Sequence, residues 1–127
     1  MPAPTPSPSP TPFLFTVLGR PTPSLNRASW QDTGLDIPNG ASVTLTASGL
    51  IAHGGGSIGP AGVNSTWGDT LVPSLRALAL IGKIGRNGTP FLVGSRLVLS
   101  GSGQRLFLAI NDSWVNDNSG SWSIQIQ

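Results

Sequence analysis

The chain has 127 residues, only 9% of them charged, and a formal net charge of +2. One Lys and six Arg are dispersed singly, so no basic stripe tracks a phosphate backbone and nucleic acid is not an expected partner. Cysteine is absent, which removes disulfides, thiolate chemistry and cysteine-based zinc sites, and the longest apolar runs, near 13–18 and 77–81, are too short to span a bilayer.

Residues 1–12 place proline at every second position, from Pro2 to Pro12. Each ring fixes its own φ and drives the preceding residue toward extended geometry, which predicts an extended arm rather than a helix or an interior strand. Phe13, Leu14, Phe15 and Leu18 follow as apolar teeth on that arm. Arg20–Ser24 (RPTPS) reads as a second extended connector. The expected division is therefore an arm and connector over 1–24 and a folded domain over 25–127. No basic region followed by a long apolar core opens the chain, so a secretory signal is not expected.

Beyond the connector, strand signals dominate. Residues 42–47 (SVTLTA) alternate polar and apolar with period two. Residues 49–70 are rich in Gly, Ser and Asn and read as a long loop carrying His53, the single histidine. The nearly continuous apolar run 75–84 reads as a buried strand, and 91–93, 97–99, 106–110 and 121–126 as further short strands, the last with Trp122, Ile124 and Ile126 on one face. Many short strands with Gly-rich turns predict an all-β, antiparallel, jelly-roll-like β-sandwich with an extended Pro-rich N-terminal arm.

All five acidic residues are Asp, and two of them fall in the stretch 110–123 (INDSWVNDNSGSWS). Asp112, Asp117, Asn118 and Asn116 place hard oxygen donors within seven residues between two strands, a set that suits calcium. The same residues also suit a turn in which Asn and Asp bond their own backbone. Two exposed-aromatic candidates are Trp114 inside this stretch, which can anchor an interface, and Trp67 in the long loop, which can anchor that loop. Asp69 can shape a turn.

The order and spacing of Ala47–Gly49 (ASG), Ala79–Gly85 (ALIGKIG), Phe91–Gly94 (FLVG), Leu106–Asp112 (LFLAIND) and Asp117–Ile124 (DNSGSWSI) give residues 30–127 a resemblance. They resemble the calcium-dependent galactose-binding lectins of Pseudomonas and related lectin-like β-sandwich domains. The resemblance implies a calcium site in which Asp112 is the first carboxylate ligand, Asp117 and Asn118 stand at a pair of amide ligands, and the His53 backbone carbonyl reaches the ion. It departs in two places. The loop after Asp112 is shorter than the lectin's, and the His and Gln that contact the sugar there have no match in 59–69. With a sugar as the implied ligand, Trp67 or Trp114 can stack on its face and Asp69 can bond a hydroxyl. The Pro-rich arm lies outside the resemblance.

No residue set specifies an enzyme. His53 has no Ser partner in a local signature, and the best carboxylate pair, Asp112 with Asp117, is better suited to a metal shell. Two expectations follow. The first is a non-enzymatic assembly protein of the phage capsid decoration type, at the virion surface. Its arm would hold capsid or other large-assembly subunits, and its sandwich would stand outward as a symmetric homo-oligomer. The alternative is a calcium-dependent, galactose-type lectin with a glycan partner, located extracellularly or in a host cytoplasm without a signal peptide.

Overall fold

The structure, a computed structural model, describes residues 12–21 and 26–127. Two antiparallel sheets face each other. The first contains β1 (Phe13–Leu18), β3 (Ser42–His53), β4 (Gly56–Ile58), β7 (Arg96–Ser100) and β9 (Ser119–Ile126). Its order is β1-β9-β3, with β7 and β4 sharing the far side of β3. The second runs β2-β8-β5-β6, formed by β2 (Gln31–Asp36), β8 (Arg105–Ile110), β5 (Leu80–Ile84) and β6 (Phe91–Leu92). The expected all-β sandwich is what the chain forms.

Period-two alternation explains the core. Val17, Leu45, Ala47, Ile51, Trp122, Ile124 and Ile126 point inward from the first sheet and meet Leu80, Leu106, Leu108 and Ile110 of the second. Trp122 is fully buried, and its Nε1–H donates to the Ile58 carbonyl at 3.0 Å, so the largest core side chain leaves no orphaned donor. The outward face of the same sheet carries Thr46, Ser48, Ser123 and Gln125, all of them uncharged. At Gly120 the backbone takes φ +83°, and a Cβ would lie 3.1 Å from the Leu50 carbonyl, so glycine lets β9 twist tightly against β3.

Three strand expectations differ from the structure, each for a physical reason. β3 continues to His53 because Ile51 returns to the core after Ala47, while Leu50 faces solvent and breaks the sequence alternation. Within the run 75–84 only Leu80–Ile84 is a strand; the preceding residues form a buried loop whose backbone is held by a side chain described below. β2 has an unpromising sequence, QDTGLD, yet it pairs with β8 because Thr33 turns inward and its Oγ–H donates to the Leu106 carbonyl at 2.8 Å.

The arm requires the largest correction. The alternating prolines of residues 1–11 lie outside the described residues, as do 22–25 and with them the expected boundary at 24/25. Phe13, Leu14, Phe15 and Leu18, expected as anchors on a neighbouring subunit, instead form β1 of the sandwich itself. Phe13 pairs with Ile126 and Leu18 with Ser121 in continuous antiparallel register. Phe13 and Phe15 pack against the chain's own core and Val17 is fully buried, while Leu14 and Leu18 face outward. An apolar segment buries more surface as a six-residue strand beside β9 than as a free extension.

Two substitutions test this assignment. Ile124→Ala is expected to cost about 2–5 kcal/mol through lost burial and the cavity left behind. Val17→Asp is expected to unfold the domain by placing an unpaired charge in the core. Chemical denaturation followed by tryptophan fluorescence measures both; a Val17→Asp variant as stable as the parent would mean that β1 does not belong to the sandwich.

Candidate functional site

β8 ends at Ile110 and β9 begins at Ser119, so the connection between them crosses one end of the sandwich. The β3–β4 turn and the long 59–79 segment meet it there. Together they enclose a pocket of about 310 Å³ whose wall includes His53, Trp67, Leu78, Asp112, Trp114 and Asp117.

Asn111 lies behind the pocket and orders the chain around it. This residue is fully buried, and its side chain makes four hydrogen bonds with the loop opposite. Its Oδ1 accepts from the Val72 N–H at 2.8 Å, and its Nδ2 donates to the carbonyls of Val72, Leu75 and Arg76 at 3.0–3.1 Å. Its carbonyl also accepts from the Leu78 N–H at 2.8 Å. These bonds hold Leu78 at φ +57°, a left-handed conformation uncommon for leucine, with its side chain buried at the pocket.

Asp112 follows directly. It is only 6% exposed; Oδ1 accepts from the Ser113 N–H at 2.7 Å and Oδ2 from the Asn118 amide at 3.0 Å. Burial raises its pKa above the ordinary aspartate value. The Asn118 and Ser113 hydrogen bonds pull it back, while the neighbouring Asp117 charge pushes it up further. Asp117 closes the opposite wall, its Oδ2 accepting from the Gly54 N–H at 3.0 Å. A Cβ on Gly54 would sit 2.5 Å from that oxygen, so glycine is what allows the carboxylate to reach the turn.

Asn118 is buried and touches the pocket wall through Asp112. Its Nδ2 also donates to the Gly19 carbonyl at 3.0 Å, and its Oδ1 is buried without a hydrogen-bond partner. A buried acceptor without a donor carries a desolvation cost of roughly 1–3 kcal/mol. A bound cation is one way to recover that cost. Hard amide and carboxylate oxygens from Asp112, Asp117 and Asn118 are the donor chemistry calcium prefers. Among the described residues no group of three or more His, Cys, Asp or Glu converges on one point, so a nitrogen- or sulfur-rich transition-metal set is not present there.

The remaining sequence candidates separate. His53 lines the pocket, and its Nδ1 accepts from the Gly55 N–H at 3.1 Å, which turns the imidazole onto its own hairpin. Trp67 and Trp114 line the same pocket at 38% and 51% exposure, enough to present ring surface to a ligand. The Arg27 guanidinium covers one face of Trp114, 4.6 Å from the ring centroid. Asp69 lies in an adjoining depression that shares Asp112 and Ser113 with the pocket. Asn116 is exposed and is not in the pocket wall; its carbonyl accepts from Arg20 at 3.5 Å. Asn111, Leu78 and Gly54 were not among the sequence candidates. The Asn beside Asp112 carried the one available signal, a polar residue continuing an apolar strand.

Comparison with solved structures finds the same fold in a chain described as "EclA N-terminal domain; PllA-like lectin". The TM-score is 0.64 at 21% sequence identity, over 90% of this chain and 93% of that one. No protein-family model and no curated protein matches the sequence.

Two outcomes are expected from the site geometry. The raised Asp112 pKa means that the folded state holds this proton more tightly than the unfolded chain. Stability of metal-free protein should therefore fall as pH rises from the ordinary aspartate range through the higher folded value. Asp112→Asn should remove that slope in pH-dependent thermal melts without lowering the metal-free melting temperature at neutral pH. Asn111→Leu keeps the volume but removes four hydrogen bonds to the partly buried 72–76 loop, at about 0.5–1.5 kcal/mol for each. Urea denaturation should show a loss well beyond that of a surface substitution.

Proposed function

We propose that this chain is a non-enzymatic carbohydrate-binding module that takes a neutral sugar at the Asp112–Asp117 pocket with the help of a calcium ion. The observation that carries the reading is the convergence of two carboxylates and two accessible tryptophans at one pocket, with Asn118, whose Oδ1 is buried and partnerless, bonded to Asp112 behind its wall. The fold shared with a lectin domain supports it.

Asp112, Asp117 and Asn118 would hold the ion, with the His53 backbone carbonyl as the further oxygen that the family resemblance implies. A calcium ion in such a set supplies a positive centre to which adjacent sugar hydroxyls can bind. The protein's own groups do the rest. Trp67 and Trp114 offer apolar ring faces to the C–H face of a pyranose. The carboxylates accept hydrogen bonds from sugar hydroxyls, a charge-assisted contact stronger than a neutral one. Leu78, fixed by Asn111, closes the floor and limits how deep a ring can enter. Galactose selectivity in the resembled lectins uses a His and a Gln that 59–69 does not contain, so Trp67 takes over as the contact from this segment.

The capsid-decoration reading used Phe13, Leu14, Phe15 and Leu18 as the anchors of its proline arm on a neighbouring subunit. Those residues are bonded into the chain's own sheet, which removes that anchoring role. The carbohydrate reading has the better support.

The test is retention on immobilised galactose, glucose and mannose supports, in calcium and in chelator, together with melting temperatures under both conditions. Retention that requires calcium, is lost in Asp112→Asn and falls at least tenfold in Trp67→Ala is expected. Saturating calcium at 100 times its dissociation constant should stabilise the protein by about 2.7 kcal/mol. Unchanged melting in calcium and chelator would remove the metal, and no retention on any support would remove the sugar.

A further inference from the structure

A sheet edge presents unpaired backbone N–H and C=O groups, and folded proteins protect such edges with charge, bulges or short length. The described residues of this sandwich offer four edges, and three are protected. β2 carries Asp32 and Asp36 on either side of a register break. β6 is two residues long. The edge beyond β3 is split between β4, three residues long, and β7, which opens with Arg96.

The fourth edge, β1, is different. Its six residues, FLFTVL, contain no charge and no break in register. Gly19 bonds to Gly120 across the β1–β9 ladder, so the odd-numbered residues face β9 and Leu14, Thr16 and Leu18 turn their backbone groups outward. Leu18 is satisfied by Gln31, whose Oε1 accepts its N–H at 2.9 Å while Nε2 donates to its carbonyl at 3.0 Å. That side-chain amide imitates one residue of a neighbouring strand. Leu14 and Thr16 have no such substitute among the described residues, and the Leu14 side chain is 73% exposed.

We propose that β1 is a self-association edge: two copies of this chain pair antiparallel through it, joining their first sheets into one continuous sheet. The occupant must be a strand, because only an extended backbone matches donors and acceptors on alternate residues. A second β1 fits by its own symmetry. An isologous two-fold contact sets Leu14 opposite Thr16 of the second copy and Thr16 opposite its Leu14. Pairing in that register forms about four backbone hydrogen bonds. Gln31 stops the pairing at Leu18, and Pro12, which has no N–H, stops it at the other end. The absence of charge on β1, with a net charge of only +2 on the chain, leaves little Coulomb repulsion between copies. So short an edge buries less than a standard stable interface, so the association is reversible, with dimer growing in over roughly 1–100 µM.

Sedimentation velocity of the full chain across that range tests the proposal, with hydrogen exchange at the Leu14 and Thr16 amides as the local readout. Expected are a concentration-dependent dimer and amide protection that rises with it. Leu14→Lys, which puts a charge on the edge, and Thr16→Pro, which removes an outward N–H without touching the β9 ladder, should each weaken dimerisation at least tenfold. Val98→Lys on β7 should leave it unchanged. If Thr16→Pro fails to fold by circular dichroism, Leu14→Lys and the exchange data decide. A monomer at every concentration would overturn the proposal, and so would a dimer that persists in Leu14→Lys or exchange at Leu14 and Thr16 that is independent of concentration.

Discussion

The buried side chain of Asn111 is the constraint on which this end of the molecule depends. A strand that is apolar for five residues, Leu106–Ile110, ends on an amide with no water to bond. Its donors and acceptor must be met by protein, and the 72–76 loop is what meets them. The exchange is mutual, because that partly buried loop has no sheet for its backbone groups to join. One side chain therefore stands in for a strand. It also fixes Leu78 in a left-handed conformation and sets Asp112, the next residue, at the pocket wall.

From that point the site is a consequence of charge held in a nearly uncharged protein. Asp112 is placed where burial opposes its ionisation, and Asp117 is brought near enough to oppose it further. Asn118 relieves one carboxylate oxygen through its Nδ2 but keeps its own Oδ1 buried and partnerless. Such a cluster is costly to the isolated fold, and on the proposed function a cation would offset that cost. The tryptophans add the apolar surface that carboxylates cannot supply.

The two ends of β9 link this site to the rest of the sandwich. Its start follows Asp117 and Asn118, its middle buries Trp122 and Ile124, and its flanks pair with β3 on one side and β1 on the other. β1 thus completes the core with its odd-numbered residues and leaves its even-numbered ones at the sheet edge. The same alternation that makes it a good inner strand makes it an unprotected outer one. If that edge joins two copies and the proposed function holds, each dimer carries two sugar pockets, and a surface bearing many sugars would be held by avidity rather than by single-site affinity.

Strand periodicity is a local property, so the sequence by itself determined the sandwich class, the inward set Trp122, Ile124 and Ile126, and the gathering of Asp112, Asp117 and Asn118 into one connection. Each of these depends on residues a few positions apart. Three features were decided by tertiary structure alone. The apolar segment 13–18 became a strand because β9, more than a hundred residues away in sequence, offered it a ladder and a core. Residues 75–79 stayed a loop because Asn111 offered their carbonyls a better partner than a neighbouring strand. Trp67 joined Asp112 and Trp114 at one pocket while Asn116 did not, because the long loop and the short connection are fixed by different bonds. Hydrogen bonds and burial between distant segments carry no signature in local composition; they are set only when the chain closes on itself.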